Sequence, residues 1–191
     1  MITVVSGFGR CGSSLVMQML VAGGFPVYAD EGTAPAYETA HMLTLPRETA
    51  WLDACEGKAV KVLDPHVFHL PSGRRYRSVW LDRDPDAQAA SMVKFQRTLF
   101  GQQFGREEQA AILAALVADR PEALGALMDV SERVLVLSFE ELLATPAASA
   151  AALSDFCGGG LRLLPMGRAV RRRSSACAAD MAGELPARKA S

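Results

Sequence analysis

Residues 2–22 read ITVVSGFGRCGSSLVMQMLVA. The β-branched run from Ile2 to Val5 is typical of a buried strand, and the mostly apolar run from Ser13 to Ala22 is typical of a buried helix. Between them lies a loop of small residues, Ser6–Gly12, whose backbone N–H groups can turn inward. Since the N-terminus of the following helix adds a partial positive charge, this strand, loop and helix predict a binding site for a phosphate or sulfate group.

The position of the cationic side chain distinguishes this loop from the Walker loop of ATP- and GTP-binding enzymes. Gly7 and Gly12 have the Walker spacing, but Ser13 stands where those enzymes place a lysine. The loop carries its cation internally instead, at Arg10. The pattern is compatible with an anion site or with an ordinary tight turn that exposes an arginine. The candidate anion-binding residues are Gly9, Arg10, Cys11, Gly12, Ser13 and Ser14.

A second informative segment, RDPDAQAAS, spans residues 83–91. Asp84 is a good N-cap and Pro85 suits the first helical position, so Arg83 stands at the end of a strand and Ser91 lies two turns into a helix. Their separation along the helix is roughly 12 Å at most, which an extended arginine can largely bridge. The segment alone is also compatible with a capped helix that carries a surface serine, but the pairing with the first loop favours a shared phosphate.

Buried strands alternate with helices along the rest of the chain. This order predicts an α/β fold of the P-loop type, with three layers, a mainly parallel central sheet and a ligand crevice at the carboxyl ends of the strands. We expect a single domain over residues 1–180 and a disordered tail over 181–191. The predicted later strands are 59–63, 78–82 and 133–138, and the predicted later helices are 37–45, 47–56, 85–101, 107–119, 121–130 and 147–156.

Composition excludes several classes of protein. Half of the 191 residues are hydrophobic, and the formal net charge of −1 does not suggest a nucleic-acid-binding protein. The sequence has no secretory signal pattern and no apolar run of the length that a membrane span needs, so we expect a cytoplasmic protein. The four cysteines lack C-x-x-C spacing, which argues against a zinc site or a disulfide framework.

Three segments together resemble sulfotransferases that use 3′-phosphoadenosine 5′-phosphosulfate (PAPS). Residues 9–14 resemble the family's 5′-phosphosulfate loop, P-[KR]-S-G-[TS]-[TS], with Gly9 for the proline and Cys11 for the serine. Residues 83–91 resemble its 3′-phosphate motif, R-[ND]-P-x-x-x-x-x-S, and residues 139–146 resemble its structural element [YF]-E-[DE]-L-x-x-x-P. The resemblance implies transfer of a sulfonate group from PAPS to a hydroxyl or amine, with adenosine 3′,5′-bisphosphate as product and no metal.

The resemblance also implies roles for individual residues. Arg10 would neutralise charge on the bridging oxygen, the loop with Ser13 and Ser14 would hold the 5′-phosphate, and Arg83 with Ser91 would hold the 3′-phosphate. A late basic segment folds onto the 3′-phosphate in relatives, which makes Arg172 a candidate for that role. The alternative for this segment is a solvated run of charge.

The resemblance places a glutamate base in the region that follows the first helix. Ala36-Tyr37-Glu38 resembles a G-Y-[FY]-E element of bacterial relatives, so Glu38 is the first candidate and Glu31 the second. Many cytosolic members carry Lys-Thr-His after the second buried strand, where this chain has Lys61-Val62-Leu63. Leu63 cannot accept a proton, and the outside candidates are His66 and Asp64.

Two other functions remain open. A small-molecule kinase would need a lysine after Gly12 and an aspartate for magnesium, for which Asp64 and Asp82 are available. A non-catalytic module that binds PAPS or another nucleotide is the alternative of a different class. The sequence does not identify the acceptor, which could be a small molecule, a glycan or a lipid hydroxyl, nor the oligomeric state.

Overall fold

The apolar runs of the sequence form one parallel β-sheet in the computed structural model of the chain, which describes residues 1–100 and 105–170. Arg172 and the predicted tail lie outside the described residues. In chain order the elements are β1 (Ile2–Gly7), α1 (Ser13–Gly23), β2 (Val27–Tyr28), two 3-10 helices (Ala40–Thr44 and Ala50–Cys55), β3 (Ala59–Lys61), β4 (Tyr76–Asp82), α2 (Pro85–Phe100), α3 (Arg106–Val130), β5 (Ser131–Ser138), α4 (Phe139–Ala144), α5 (Pro146–Phe156) and α6 (Leu163–Ala169).

Helices cover both faces of this sheet. The strands that are described follow the order β2-β3-β1-β4-β5, and each neighbouring pair is parallel. Side chains alternate between two cores, so that Val5 and Val79 pack with α1, α5 and α6, whereas Val4 and Trp80 pack with α3 and the second 3-10 helix. The predicted α/β fold, with helices on both sides of a parallel sheet, is therefore confirmed.

The connections of the two middle strands create a crevice. The chain leaves β1 through α1, which packs on one face, and leaves β4 through α2, whose Ala89 packs in the core of the opposite face. β1 and β4 are neighbours, paired from Ile2 opposite Tyr76 to Gly7 opposite Leu81. Where adjacent parallel strands send their connections to opposite faces, a crevice opens at their carboxyl ends. This crevice lies between the first loop and the segment that begins at Arg83.

The two short helices predicted between the first helix and β3 are present, but each is shorter than predicted. Segments 37–45 and 47–56 each contain one 3-10 helix. Leu45 is extended, with φ −65° and ψ 143°, as expected for a residue that precedes proline, and it therefore ends the first of them. The second is followed by Gly57, which has a φ of 75°.

The prediction of two helices over residues 107–130 is wrong, because a single helix, α3, contains Pro121 in its interior. Leu116, Ala123 and Leu127 lie on the two sides of the proline and pack in the same core. Their shared burial outweighs the hydrogen bond that the proline cannot donate. Among the described residues, no helix has the combination of length and apolar character that would let it cross a membrane.

The strands also differ at their ends from the prediction. β4 begins at Tyr76 and β5 at Ser131, each two residues earlier than expected, whereas β3 ends at Lys61. Tyr76 and Arg77, which lie outside the predicted strand, therefore belong to the sheet. Tyr76 is buried, and Arg77 donates to Oγ1 of Thr3 at 2.8 Å and to the carbonyl of Phe156 at 3.2 Å.

Candidate active site

The loop between β1 and α1 ends in an open helix N-terminus. Gly12 is the N-cap residue, with a φ of 105°, and no described side chain caps the helix there. A Cβ atom at this position would lie 2.5 Å from Cδ2 of Phe139, so the site needs glycine for space as well as for conformation. An uncapped N-terminus of an eleven-residue helix has backbone N–H groups and a partial positive charge for an anion.

Cys11 contributes to packing in this loop. Its side chain is fully buried in the core beside α1, and its backbone N–H donates to the carbonyl of Phe8 at 3.1 Å. Burial raises the pKa of the Cys11 thiol to about 11, although hydrogen bonds from Ser13 act in the opposite direction. The thiol therefore lies inside the core, in the surroundings of a packing residue rather than of a nucleophile.

Arg10 connects the loop to α2. Its φ of 64° is in the left-handed region, and its side chain extends to the second motif, where Nε donates to Oγ of Ser91 at 3.4 Å. The guanidinium lies 4.7 Å from the centre of the Phe95 ring. Arg10 and Ser91, which are far apart in the sequence, therefore meet in one crevice.

Arg83 binds the same loop from the end of β4. Its Nη1 donates to the carbonyl of Arg10 at 2.7 Å, and its guanidinium lies 4.5 Å from the centre of the Phe139 ring. Burial lowers the pKa of Arg83, the nearby charge of Arg10 acts in the same direction, and Glu140 opposes both. Because these two partly buried guanidinium groups repel each other, an anion between or beside them is electrostatically favourable.

The helix that carries Ser91 begins as predicted. Oδ1 of Asp84 accepts a hydrogen bond from the backbone N–H of Ala87 at 2.8 Å, which makes Asp84 the cap of α2, and Pro85 is the first helical residue.

Behind Arg83, on the α2 and α3 side of the sheet, lies a cavity of about 390 Å³. Phe8 and Gln88 line it together with the ion pair between Asp82 and Arg120.

A buried lysine joins the first loop to the segment that carries the candidate bases. Lys61 is 2% exposed, and its Nζ donates to Oγ of Ser14 at 3.0 Å and to the carbonyl of Ala36. The same ammonium lies 3.4 Å from Oε1 of Glu38. Lys61 therefore places the Glu38 carboxylate beside Ser14, at the edge of the first loop.

The other candidate bases have different surroundings. Glu31 is exposed, and within the described residues its side chain has no hydrogen bond or ion pair. His66 packs edge-on against Phe8, and its Nε2 lies 3.9 Å from Oδ2 of Asp119. Asp64 has a φ of 50° and donates its backbone N–H to Gly7, and burial raises the pKa of its carboxyl group despite the charge of His66. Within the described residues, Glu38 is the one of the four that contacts Lys61, which also binds Ser14.

Sequence reasoning did not assign several side chains of this site. Lys61 was compared with the family only as part of Lys61-Val62-Leu63, and the rings of Phe95 and Phe139 and the amide of Gln88 were not assigned to the site. Phe95 lies four residues after Ser91, on the same face of α2, so helical spacing could have identified it. The contact between Phe139 and Arg83 joins separate parts of the chain and leaves no local signal.

Comparison with known proteins gives a likeness in fold. No protein-family model matches the chain, and no curated protein matches its sequence. Among solved structures, retinol dehydratase in complex with androsterone and the inactive cofactor PAP is similar over 88% of this chain, with 17% identity and a TM-score of 0.52. Retinol dehydratase in complex with retinol and PAP is similar over 87%, with 17% identity and a TM-score of 0.50. The chain spans 62% of the length of each of these structures.

Proposed function

We propose that this chain is a sulfotransferase that moves a sulfonate group from PAPS to a hydroxyl or amine and releases adenosine 3′,5′-bisphosphate (PAP). The observation that carries the proposal is the contact of two candidate anion-binding elements in one crevice. Arg10 from the first loop lies 3.4 Å from Ser91 of the second motif, and Arg83 binds the backbone of Arg10. A nucleotide with phosphate groups at both ends of its ribose suits such a pair. The fold shared with retinol dehydratase, which was solved with PAP, supports the same ligand.

The residues of the crevice divide between the two phosphate groups in this proposal. The N-terminus of α1 and the hydroxyl of Ser14 bind the 5′-phosphate, and Arg83 with Ser91 binds the 3′-phosphate. Arg10 balances the negative charge of the bisphosphate as it leaves. The chain has Ser13 where a kinase would have its lysine, which favours this donor over ATP.

Glu38 accepts the proton of the acceptor in this mechanism. PAPS supplies an activated sulfonate when bound, and the chain contributes mainly positioning and charge balance. Lys61 holds the Glu38 carboxylate beside Ser14, where the acceptor and the donor would meet. The proton therefore moves from the acceptor oxygen or nitrogen to Glu38.

A small molecule with a hydroxyl group is the acceptor class that the site supports best. The two structures of retinol dehydratase hold androsterone or retinol, both small molecules with a hydroxyl. In this chain, the backbone nitrogen of Leu63, two residues after the end of β3, lies 3.1 Å from Sδ of Met42, so the apolar side chain of Met42 adjoins the segment of Glu38. Such surroundings suit an apolar body attached to a reactive hydroxyl.

Binding of PAP by isothermal titration calorimetry, followed by transfer of labelled sulfonate, tests the proposal. We expect PAP to bind wild-type protein, and the Ser91→Ala and Arg83→Gln variants to bind it roughly tenfold or more weakly, because each loses a hydrogen bond to a charged group. Arg47→Ala, at an exposed arginine, is the matched control and should bind PAP normally. Binding of ATP with magnesium but not of PAP would favour a kinase instead.

Transfer of the labelled sulfonate separates an enzyme from a module that only binds. The acceptors offered to the wild-type protein with labelled PAPS are retinol, androsterone, a simple phenol, a sugar and a tyrosine peptide. Labelled product from any of them supports the proposal. Tight binding of PAP with no labelled product from the whole set would replace it by the non-catalytic alternative.

A further inference from the structure

The first loop is held from one side by the side chain of Gln88. This residue is 4% exposed, lies in the first turns of α2, and donates from Nε2 to the carbonyl of Gly9 at 2.8 Å and to that of Phe8 at 3.4 Å. Arg83 donates to the next carbonyl, that of Arg10. The carbonyl groups of three consecutive loop residues are therefore all bound by side chains that follow β4.

These contacts fix the orientation of the peptide groups. In a trans peptide the carbonyl of one residue and the N–H of the next point in opposite directions. When the carbonyls of Phe8 and Gly9 point to Gln88, the N–H groups of Gly9 and Arg10 must point away from it. A loop that contains Gly7, Gly9 and Gly12 has little internal resistance to rotation of these groups.

We propose that Gln88 is a positioning residue that keeps the phosphate loop in the orientation in which it offers N–H groups, rather than carbonyl oxygens, to an anion. The identity of the anion as PAP rests on the proposed function, whereas the effect on the loop does not. Gln88 precedes Ser91 by one helical turn, so the same face of α2 both orients the loop and binds its arginine.

The test replaces Gln88 with residues of similar size that cannot donate. Gln88→Met removes the hydrogen bonds without adding charge, and Gln88→Glu places a carboxylate against two carbonyl oxygens. We expect faster hydrogen–deuterium exchange in the peptide that covers residues 6–14 and about tenfold weaker PAP binding, because the Gly9 carbonyl loses its side-chain donor and the Phe8 carbonyl keeps only the backbone N–H of Cys11. Exchange in the strands outside this peptide should remain as in the wild type.

A matched control and a rescue variant separate orientation of the loop from general damage. Gln96→Met changes a glutamine of the same helix whose Oε1 is buried without a partner in the described structure, and it should leave the loop unchanged. Gly9→Ala stiffens the loop, and a Cβ there would meet only Cε of Met92 at 3.9 Å. Added to Gln88→Met, it should recover a twofold to fivefold part of the lost PAP affinity, on the order of 0.4–1 kcal/mol.

The outcomes distinguish this proposal from the proposed function. Unchanged exchange of the 6–14 peptide in both Gln88 variants would overturn the positioning role, whatever happens to PAP binding. Weaker PAP binding without faster exchange would also overturn it, since Gln88 would then act on the ligand directly. If wild-type protein fails to bind PAP, the proposed function fails, while faster loop exchange in Gln88→Met and its reversal by Gly9→Ala would still support the role of Gln88.

Discussion

Glu38 and Glu31 belong to the same loop, but the fold gives them different surroundings. Glu38 is tied down through its backbone, whose carbonyl accepts hydrogen bonds from the N–H of Asp30 and the hydroxyl of Thr33, and through its ion pair with Lys61. Glu31 is exposed, and within the described residues its side chain makes no hydrogen bond or ion pair. A base must be held within reach of the proton that it accepts, so the two carboxylates should differ in their effect on the reaction.

Substitution of each glutamate by glutamine tests this difference. We expect Glu38→Gln to lower the rate of sulfonate transfer by about 100-fold or more, because general base catalysis contributes that much, and to leave PAP affinity nearly unchanged. Glu31→Gln, the matched control, should retain the wild-type rate. Single-turnover transfer from labelled PAPS to the best acceptor measures both. A loss confined to Glu31→Gln would move the base to that residue.

α3 shows how tertiary packing can keep a helix continuous through a proline. Leu116 and Leu127 are buried on either side of Pro121, whereas the proline itself is exposed. The helix therefore lacks one backbone hydrogen bond without gaining buried surface from the proline ring. The predicted break at residue 120 followed from the proline alone, although the apolar stripe of the helix continues beyond it.

Removal of this proline should stabilise the protein. Pro121→Ala restores a backbone donor in an exposed helix interior, and we expect it to raise the free energy of unfolding by up to about 3 kcal/mol. Pro146→Ala is the control, because Pro146 occupies the start of α5, where a missing donor costs little. Urea unfolding followed by circular dichroism measures both variants. Equal effects of the two changes would show that the proline position in the helix is not the cause.

At the scale of the whole molecule, two cores share the same strands. Leu153 lies in the core beside α1, and Leu127 lies in the core beside α3, and both are fully buried. β1 and β4 contribute side chains to both cores, so neither core can lose these strands without the other losing them too. The sheet therefore couples the two helical layers.

This coupling predicts one unfolding transition. Leu127→Ala and Leu153→Ala should each lower the free energy of unfolding by about 2–5 kcal/mol, and the double variant should show nearly the sum. Near- and far-ultraviolet circular dichroism should give coincident urea transitions for every variant. If the near- and far-ultraviolet signals of a single variant gave different transitions, the two helical layers would unfold independently.

The sequence allowed prediction of the parts of the site that are local, and much less of the contacts between parts. The first loop, the cap at Asp84 and the alternation of strands and helices follow from short-range patterns. The position of Gln88 under the loop depends on how α2 crosses the end of β1, which no local pattern specifies. The same holds for Lys61, since a lysine inside a strand has no signal for the carboxylate that it will meet. The helix break at Pro121 was wrong because burial outweighs local preference.

The crevice is formed by two chain segments, residues 7–14 and 83–91, that come together only when β1 pairs with β4. A chain in which β1 and β4 have not paired has no complete crevice. An immobilised bisphosphate that fits the crevice would therefore retain folded molecules, whereas incompletely folded molecules would not bind. Retention on such a resin would report the yield of folding as directly as it reports affinity.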